Sequence, residues 1–202
     1  MRNMSSLLGE SKRGLVFIVS APAGTGKTTL VNKLVAEFDS VIASVSFTTR
    51  KPRPGEKEGV HYHFISSEKF QLKIASFDFL EYVNLYGTYY GTSKEWIEKK
   101  LAHGKHVVLV IDTQGALQLK DKFPAIFIFI HPPSLRVLEE RLRMRGSENE
   151  NEIEKRLVWA QSELEMANRY DYQLINDDLN NAYRILSSIF IAETHRIRGT
   201  DG

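Results

Sequence analysis

The chain has 202 residues, a net charge of +2 from 27 Lys and Arg against 25 Asp and Glu, and a hydrophobic fraction of 42%. That length fits one domain with a substantial core and leaves room for inserted subdomains, and so small a net charge gives no argument for nucleic acid as a partner. The absence of cysteine excludes disulfides, thiolate metal sites and a cysteine nucleophile and suits a reducing cytosol, while no stretch approaches the roughly 20 apolar residues of a membrane span.

Met1 to Arg13 has only Leu7-Leu8 as an apolar centre, too little for a signal peptide, and is expected to be a flexible leader. Leu15 to Ser20 is a continuous apolar run of strand length. It breaks into Ala21-Pro22-Ala23-Gly24-Thr25-Gly26-Lys27-Thr28, after which Leu30, Leu34 and Phe38 repeat at helical spacing. In a small-residue loop between strand and helix, backbone N–H groups can turn inward as an anion nest backed by the helix N-terminus. This is one residue short of the P-loop pattern, with Ala21 where a glycine is usual, so the loop must take a negative φ there. Lys27 can then reach β- and γ-phosphates of a nucleotide, and the Thr28 hydroxyl can coordinate Mg²⁺.

Val41 to Phe47 is β-branched and predicts a strand, followed by Thr48-Thr49-Arg50-Lys51-Pro52-Arg53-Pro54-Gly55-Glu56, where two prolines and a glycine predict an exposed loop. Arg50, Lys51 and Arg53 on that loop suit anion capture, although composition alone favours solvated surface charge. Next come a short strand over His61 to Ile65, a helix over Ser67 to Phe77 and a strand over Phe79 to Leu85. Thr92-Ser93-Lys94-Glu95 fits a capping box opening a helix that ends at His103-Gly104. Polar aromatics here, where a doubly wound core would carry another strand and helix, predict an inserted subdomain over roughly 46–92.

The core resumes in the strand His106 to Ile111, ending in Asp112, which should face the same crevice as the P-loop because ligands lie beyond the carboxyl ends of such strands. Ala125 to Ile130 predicts a further core strand. From Ser134 the pattern is helical and charged, with Leu138 and Leu142 on one face and Arg136, Arg141, Arg143, Arg145 and Arg156 around it; Gly146 to Asn149 divides it into two helices. The two helices can act as a mobile lid, or be a solvated face laced with pairs such as Glu152 and Arg156. Tyr172 to Asn176 predicts a short strand, Asp177 and Asp178 read as helix caps, and an amphipathic helix on Leu179, Tyr183, Leu186 and Phe190 follows. His61, His63, His103 and His106 show no metal-ligand spacing.

Taken together these blocks resemble guanylate kinase over about Gly14 to Glu193. The resemblance rests on Ala21 to Thr28, Thr48 to Glu56, Tyr89-Tyr90-Gly91-Thr92, Ile111-Asp112-Thr113-Gln114-Gly115, Arg145-Gly146 and Asn176-Asp177-Asp178-Leu179, in the family's order. It implies an α/β fold of the P-loop nucleoside monophosphate kinase type: a parallel sheet core flanked by helices (14–45, 93–133 and 165–195), a GMP-binding subdomain (46–92) and a helical lid (134–164). It implies transfer of the γ-phosphoryl of ATP to GMP, with dGMP also expected, in the cytoplasm and with Mg²⁺.

The same resemblance implies roles residue by residue. Ala21, Pro22, Ala23, Gly24, Thr25, Gly26, Lys27, Thr28 and Asn176 would bind ATP. Ser46, Arg50, Arg53, Tyr62, Glu81, Tyr90, Thr92 and Asp112 would bind GMP, with Glu81 reading guanine. Lys27, Arg50, Arg141, Arg145 and Arg156 would serve catalysis, and Thr28 would hold Mg²⁺, with Asp112 reaching it through water. A guanine offers N1–H and N2–H₂ to one carboxylate, whereas adenine offers an acceptor at N1, so Glu81 would favour GMP. Two departures stand out: Val110 where the family usually has an aspartate, and His61 where an aspartate is common before Tyr62. The alternatives are a related P-loop kinase of phosphorylated sugars, and a non-catalytic guanylate-kinase-like binding domain of the scaffold kind. Partners are otherwise small molecules, with no nucleic acid or membrane expected.

Overall fold

The computed structural model describes residues 7–8, 12–85, 87–144 and 149–197. Five parallel strands form the main sheet in the order β2 (Val41–Ala43), β7 (His106–Val110), β1 (Val16–Ser20), β8 (Ile126–His131) and β9 (Tyr172–Ile175). The central strand β1 is buried along its whole length, which its unbroken apolar sequence requires of a parallel strand covered on both faces. Its side chains alternate between two cores. Phe17 and Val19 join Leu30 and Leu34 of α1 (Lys27–Glu37) and Leu186 and Phe190 of α7 (Leu179–His195) on one face. Val16 and Ile18 join Ile97 and Leu101 of α3 (Lys94–Ala102) and Ala116 of α4 (Thr113–Leu119) on the other.

Residues between Phe47 and Ser93 build a second, four-stranded sheet in the order β4 (His63–Phe64), β3 (Phe47–Thr48), β6 (Thr88–Ser93) and β5 (Phe79–Leu85), with α2 (Ser67–Ala75) packed on it through Phe70. The strand expected over Val41 to Phe47 is therefore two strands in different sheets. Val41 to Ala43 pairs with β7, and the chain then crosses over so that Phe47 pairs with His63 and Gly91. Local β propensity cannot report such a change of partner. The helix α4 was not foreseen from the sequence at all. Asp112 starts it by accepting the Gly115 N–H at 2.8 Å.

The cap of α3 also differs from expectation. Ser93 is the N-cap, accepting from the Trp96 N–H, and the Thr92 hydroxyl instead donates to the Glu81 carboxylate. A tertiary partner has claimed the residue that local pattern assigned to the cap. Asp178 does cap α7, accepting from the N–H groups of Asn180 and Asn181. Helices α5 (Leu135–Met144) and α6 (Glu150–Glu165) bury Leu138, Leu142, Ile153 and Ala160 between them. A capping box of Asn149 and Glu152 opens α6, and Arg143 ties the pair together through Glu150 at 3.0 Å. Among the described residues, no helix is long and apolar enough to cross a membrane.

Candidate active site

The loop after β1 lies at the carboxyl end of the central strand, next to Asp112 at the end of β7, as an open α/β sheet places a ligand site. Gly24 and Gly26 have φ of 91° and 94°, values that side-chain-bearing residues rarely adopt, while Ala21 keeps a negative φ as its methyl demands. The loop is braced from below. Asn176, buried, donates from Nδ2 to the Thr25 carbonyl at 2.7 Å, and Arg141 donates to the Asn176 carbonyl at 3.1 Å and to Thr25 O at 3.4 Å. A Cβ on Gly24 would press on Leu138 and Leu142, and one on Gly26 would stand 2.5 Å from Asn176 Nδ2. Helix α5 and Asn176, the residue after β9, thus hold the loop's shape.

A cavity of about 890 Å³ opens beside the loop. It is lined by Ala21, Ala23, Lys27 and Thr28 of the loop and the start of α1, by Ser46, Arg50, Arg53, Tyr62, Glu81 and Tyr90 from residues 46–90, and by Asp112 and Arg156. These expected residues, scattered over 136 positions from Ala21 to Arg156, therefore share one space. Pro22, Gly24, Thr25, Gly26, Arg141 and Asn176 do not line it: they shape or brace the loop. Thr92 stands behind Glu81, and Arg145 lies outside the described residues.

Arg50 is not the solvated surface charge its loop suggested. Its side chain is only 16% exposed, because Glu56 takes both terminal nitrogens at 2.8 Å and its guanidinium lies 5.3 Å from the Tyr62 ring centre and 5.8 Å from that of Phe64. Glu56 also accepts the Arg53 backbone N–H at 2.7 Å, which fixes the two arginines in one frame. The Arg50 side chain holds the Glu56 carboxyl down at about 2 and is itself raised by that bond. The Tyr62 and Tyr90 rings stand edge to face, 5.8 Å apart, and burial pushes the Tyr62 phenol up.

Glu81 is 5% exposed on β5, opposite Thr92 of β6, and faces α4. Burial pushes it up to about 7 against the Thr92 hydrogen bond. On the phosphate side, Lys27 reaches the Ala21 carbonyl at 3.2 Å, and burial lowers its pKa while the charges of Glu163 and Asp112 oppose that. Glu163 of α6, hydrogen-bonded by Thr113 at 3.4 Å, is pushed by burial to about 7, and Asp112 is raised by burial too. Glu56, Trp159 and Glu163 line the cavity without having been singled out from the sequence. Position 110, where an aspartate is usual, gives an apolar patch of wall. Among the described residues, no group of three His, Asp or Glu could hold a metal by itself.

Comparison with known proteins places this geometry in context. The guanylate kinase family model matches residues 13–193. The guanylate kinase of Protochlamydia amoebophila is 62% identical over 189 residues, covering 94% of this chain and 96% of that one. The guanylate kinase of Chlamydia pneumoniae is 53% identical over 182 residues, covering 90% of this chain and 89% of its own. Among solved structures, guanylate kinase from Anaplasma phagocytophilum superposes with a TM-score of 0.77 at 31% identity, covering 93% of this chain and 89% of that chain.

Proposed function

The chain belongs to the guanylate kinase family, and on that premise we propose how its own residues divide the work of moving the γ-phosphoryl of ATP to GMP. The observation that carries the division is that one cavity is lined both by residues of the P-loop and by Arg50, Arg53, Tyr62, Glu81 and Tyr90. A donor triphosphate and an acceptor monophosphate can meet in it end to end.

On the donor side the backbone of residues 21–28 cradles the β- and γ-phosphates, with Lys27 as the reaching cation. Arg141 and Asn176 act through the loop that they brace. Arg156 of α6 neutralises the oxygens of the group in transit, a role the family resemblance gives to Arg145 as well. On the acceptor side Arg50 and Arg53 take the GMP phosphate in a fork fixed by Glu56, and the Tyr62 and Tyr90 phenols add hydrogen bonds. Glu81, steadied by Thr92, accepts N1–H and N2–H₂ of guanine, with Ser46 and Asp112 completing that end. dGMP fits the same contacts, since none of these assignments uses the ribose 2′ hydroxyl.

A phosphate oxygen of GMP attacks the γ-phosphorus as the bond to the ADP oxygen breaks, in line and with no covalent enzyme intermediate. The protein's work is alignment and charge stabilisation. The donor set fits Mg²⁺: the Thr28 hydroxyl and, through water, the Asp112 carboxylate are hard oxygen donors, too few for an all-protein cage and suited to an ion shared with substrate phosphates. Thr28 and, through water, Asp112 would hold that ion, whose positive charge would offset that of the substrate phosphates. Closure of α6, which lines the cavity through Arg156, Trp159 and Glu163, over ATP excludes water, which would otherwise take the phosphoryl group. A cytoplasmic location, where ATP and GMP meet, accompanies this reading.

The test offers GMP, dGMP, AMP, CMP, UMP and ribose phosphates in parallel with ATP and Mg²⁺, following ADP, in the native chain and in Glu81→Gln. Turnover confined to the guanine nucleotides, with kcat/KM for GMP down by about 10³ to 10⁴ in the variant, is expected. Turnover of a ribose phosphate, or tight GMP binding without turnover, would overturn the assignment.

A further inference from the structure

The Glu81 carboxylate has two oxygens in different surroundings. Oε1 accepts the Thr92 hydroxyl, while Oε2 points at the first turn of α4, where residue 115 is glycine. A Cβ built on Gly115 would lie 2.6 Å from Oε2 and 3.3 Å from Cδ of Glu81, closer than side-chain carbons and oxygens approach. Gly115 has no room to retreat, so the shift falls on the Glu81 carboxylate, which borders the cavity. Gly115 is buried, its N–H is held by Asp112 Oδ1 at 2.8 Å, and the next residue, Ala116, is fully buried under the main sheet. Glu81 is on a strand paired on its β6 side and tied to Thr92.

The backbone itself does not ask for glycine here. Gly115 sits within α4 and is not among the residues with positive φ. Alanine is the better helix former at such a position, so the local structure forgoes a favourable residue. What occupies the space that a methyl group would fill is the Glu81 carboxylate.

We propose that Gly115 is a specificity-determining position: the missing side chain is what lets Glu81 stand with its carboxylate edge toward the acceptor's guanine base. The inference rests on the reading of Glu81 as the group that accepts the guanine N–H donors. A methyl group at 115 displaces Oε2 by on the order of 0.5–1 Å and turns the carboxylate out of the plane shared with the base, a misplacement large enough to cost one to two decades in a hydrogen-bonded site. Gly115 does not line the cavity. It acts through Glu81, so its effect belongs to the acceptor alone.

The experiment measures kcat and both KM values for Gly115→Ala, Glu81→Gln and the double variant, with GMP and with inosine monophosphate, which lacks the N2 amino group. Melting temperature is recorded for each. For Gly115→Ala the expected result is a rise of about 10- to 100-fold in KM for GMP, a KM for ATP within about twofold of native, and an unchanged or higher melting temperature. The preference for GMP over inosine monophosphate should shrink. In the double variant the two losses should be far from additive, because both act on one carboxylate. An unchanged GMP KM in Gly115→Ala, with Glu81→Gln strongly impaired, would overturn the role of Gly115 and leave the reading of Glu81 standing. No effect of Glu81→Gln would remove that reading and this inference together. Equal rises in both KM values with a lower melting temperature would make Gly115 a packing residue and likewise overturn the proposal.

Discussion

GMP binding should weaken as the solution is acidified through neutrality, because the carboxyl of Glu81 is held up at about 7 by burial, with Asp112 adding to the rise and the Thr92 hydrogen bond opposing it. Only the ionised carboxylate accepts both guanine donors; the protonated acid turns a donor toward them. With half the sites ionised near pH 7, about ten elevenths are ionised at pH 8 and about one eleventh at pH 6. The apparent affinity for GMP therefore falls about tenfold between pH 8 and pH 6, or about 1.4 kcal/mol. The phosphate of GMP gains its own proton near pH 6, so Glu81→Gln is the control that keeps the phosphate titration and loses the carboxyl one. Calorimetric titration with GMP in two buffers of different ionisation enthalpy reads both affinity and protons. At pH 6 the native chain should release close to one proton more than the variant. Stability carries the opposite sign. A carboxyl raised above its unfolded value near 4.5 leaves the fold's stability intact below that value and subtracts from it as pH rises through about 7. Glu81→Gln should thus gain on the native chain by on the order of 2–3 kcal/mol between pH 5 and pH 8 in urea unfolding. Glu163 titrates in the same window but is present in both proteins and cancels. Parallel plots of log Kd against pH for the two proteins from pH 6 to 8 would refute the reasoning.

Glu56→Gln removes the carboxylate that grips Arg50 through two hydrogen bonds at 2.8 Å. Because Glu56 is held down at about 2, its stabilisation is complete above its unfolded value of 4.5 and drains away as pH falls through about 2. The variant should be less stable than the native chain by about 1–3 kcal/mol at pH 7 in urea unfolding, the gap narrowing toward pH 3, and its GMP KM should rise; a gap independent of pH would contradict the assignment. Asn176→Ala breaks the buried bond to the Thr25 carbonyl. It should cost about 1–2 kcal/mol of stability and raise KM for ATP several-fold with KM for GMP little changed, and equal rises in both would show that the brace does not serve the phosphate loop.

The elements bearing unbroken apolar runs were legible in the sequence. The strand before the phosphate loop, the strand ending toward Asp112 and the strand Ile126–His131 are all buried in the parallel sheet, and their residues allow little else. The phosphate loop was legible as well, because its chemistry is carried by backbone geometry, and Gly24 and Gly26 declare that geometry by residue type. Lys27 and Thr28 follow at a covalently determined spacing. What lies along one short stretch of chain could be read from that stretch.

Tertiary structure decided the rest, at the places where a side chain's meaning depends on what faces it. Glu81 has nothing local to distinguish it from surface charge; the Thr92 hydroxyl and the bare backbone of Gly115, brought from 11 and 34 positions away, make it a buried acid. By composition Arg50 reads as solvated surface charge; Glu56 and two aromatic rings enclose it. Asn176 and Arg141 are hydrogen-bonded to the Thr25 carbonyl, contacts that nothing in their own stretches of sequence announces, and Glu163 gave no sign of itself until α6 set it beside Lys27 and Asp112. Periodicity and propensity report how a residue relates to its neighbours in sequence, whereas charge, burial and hydrogen bonding are set by neighbours in space, and the chain acquires those only when its two sheets and its helices close around a common cavity.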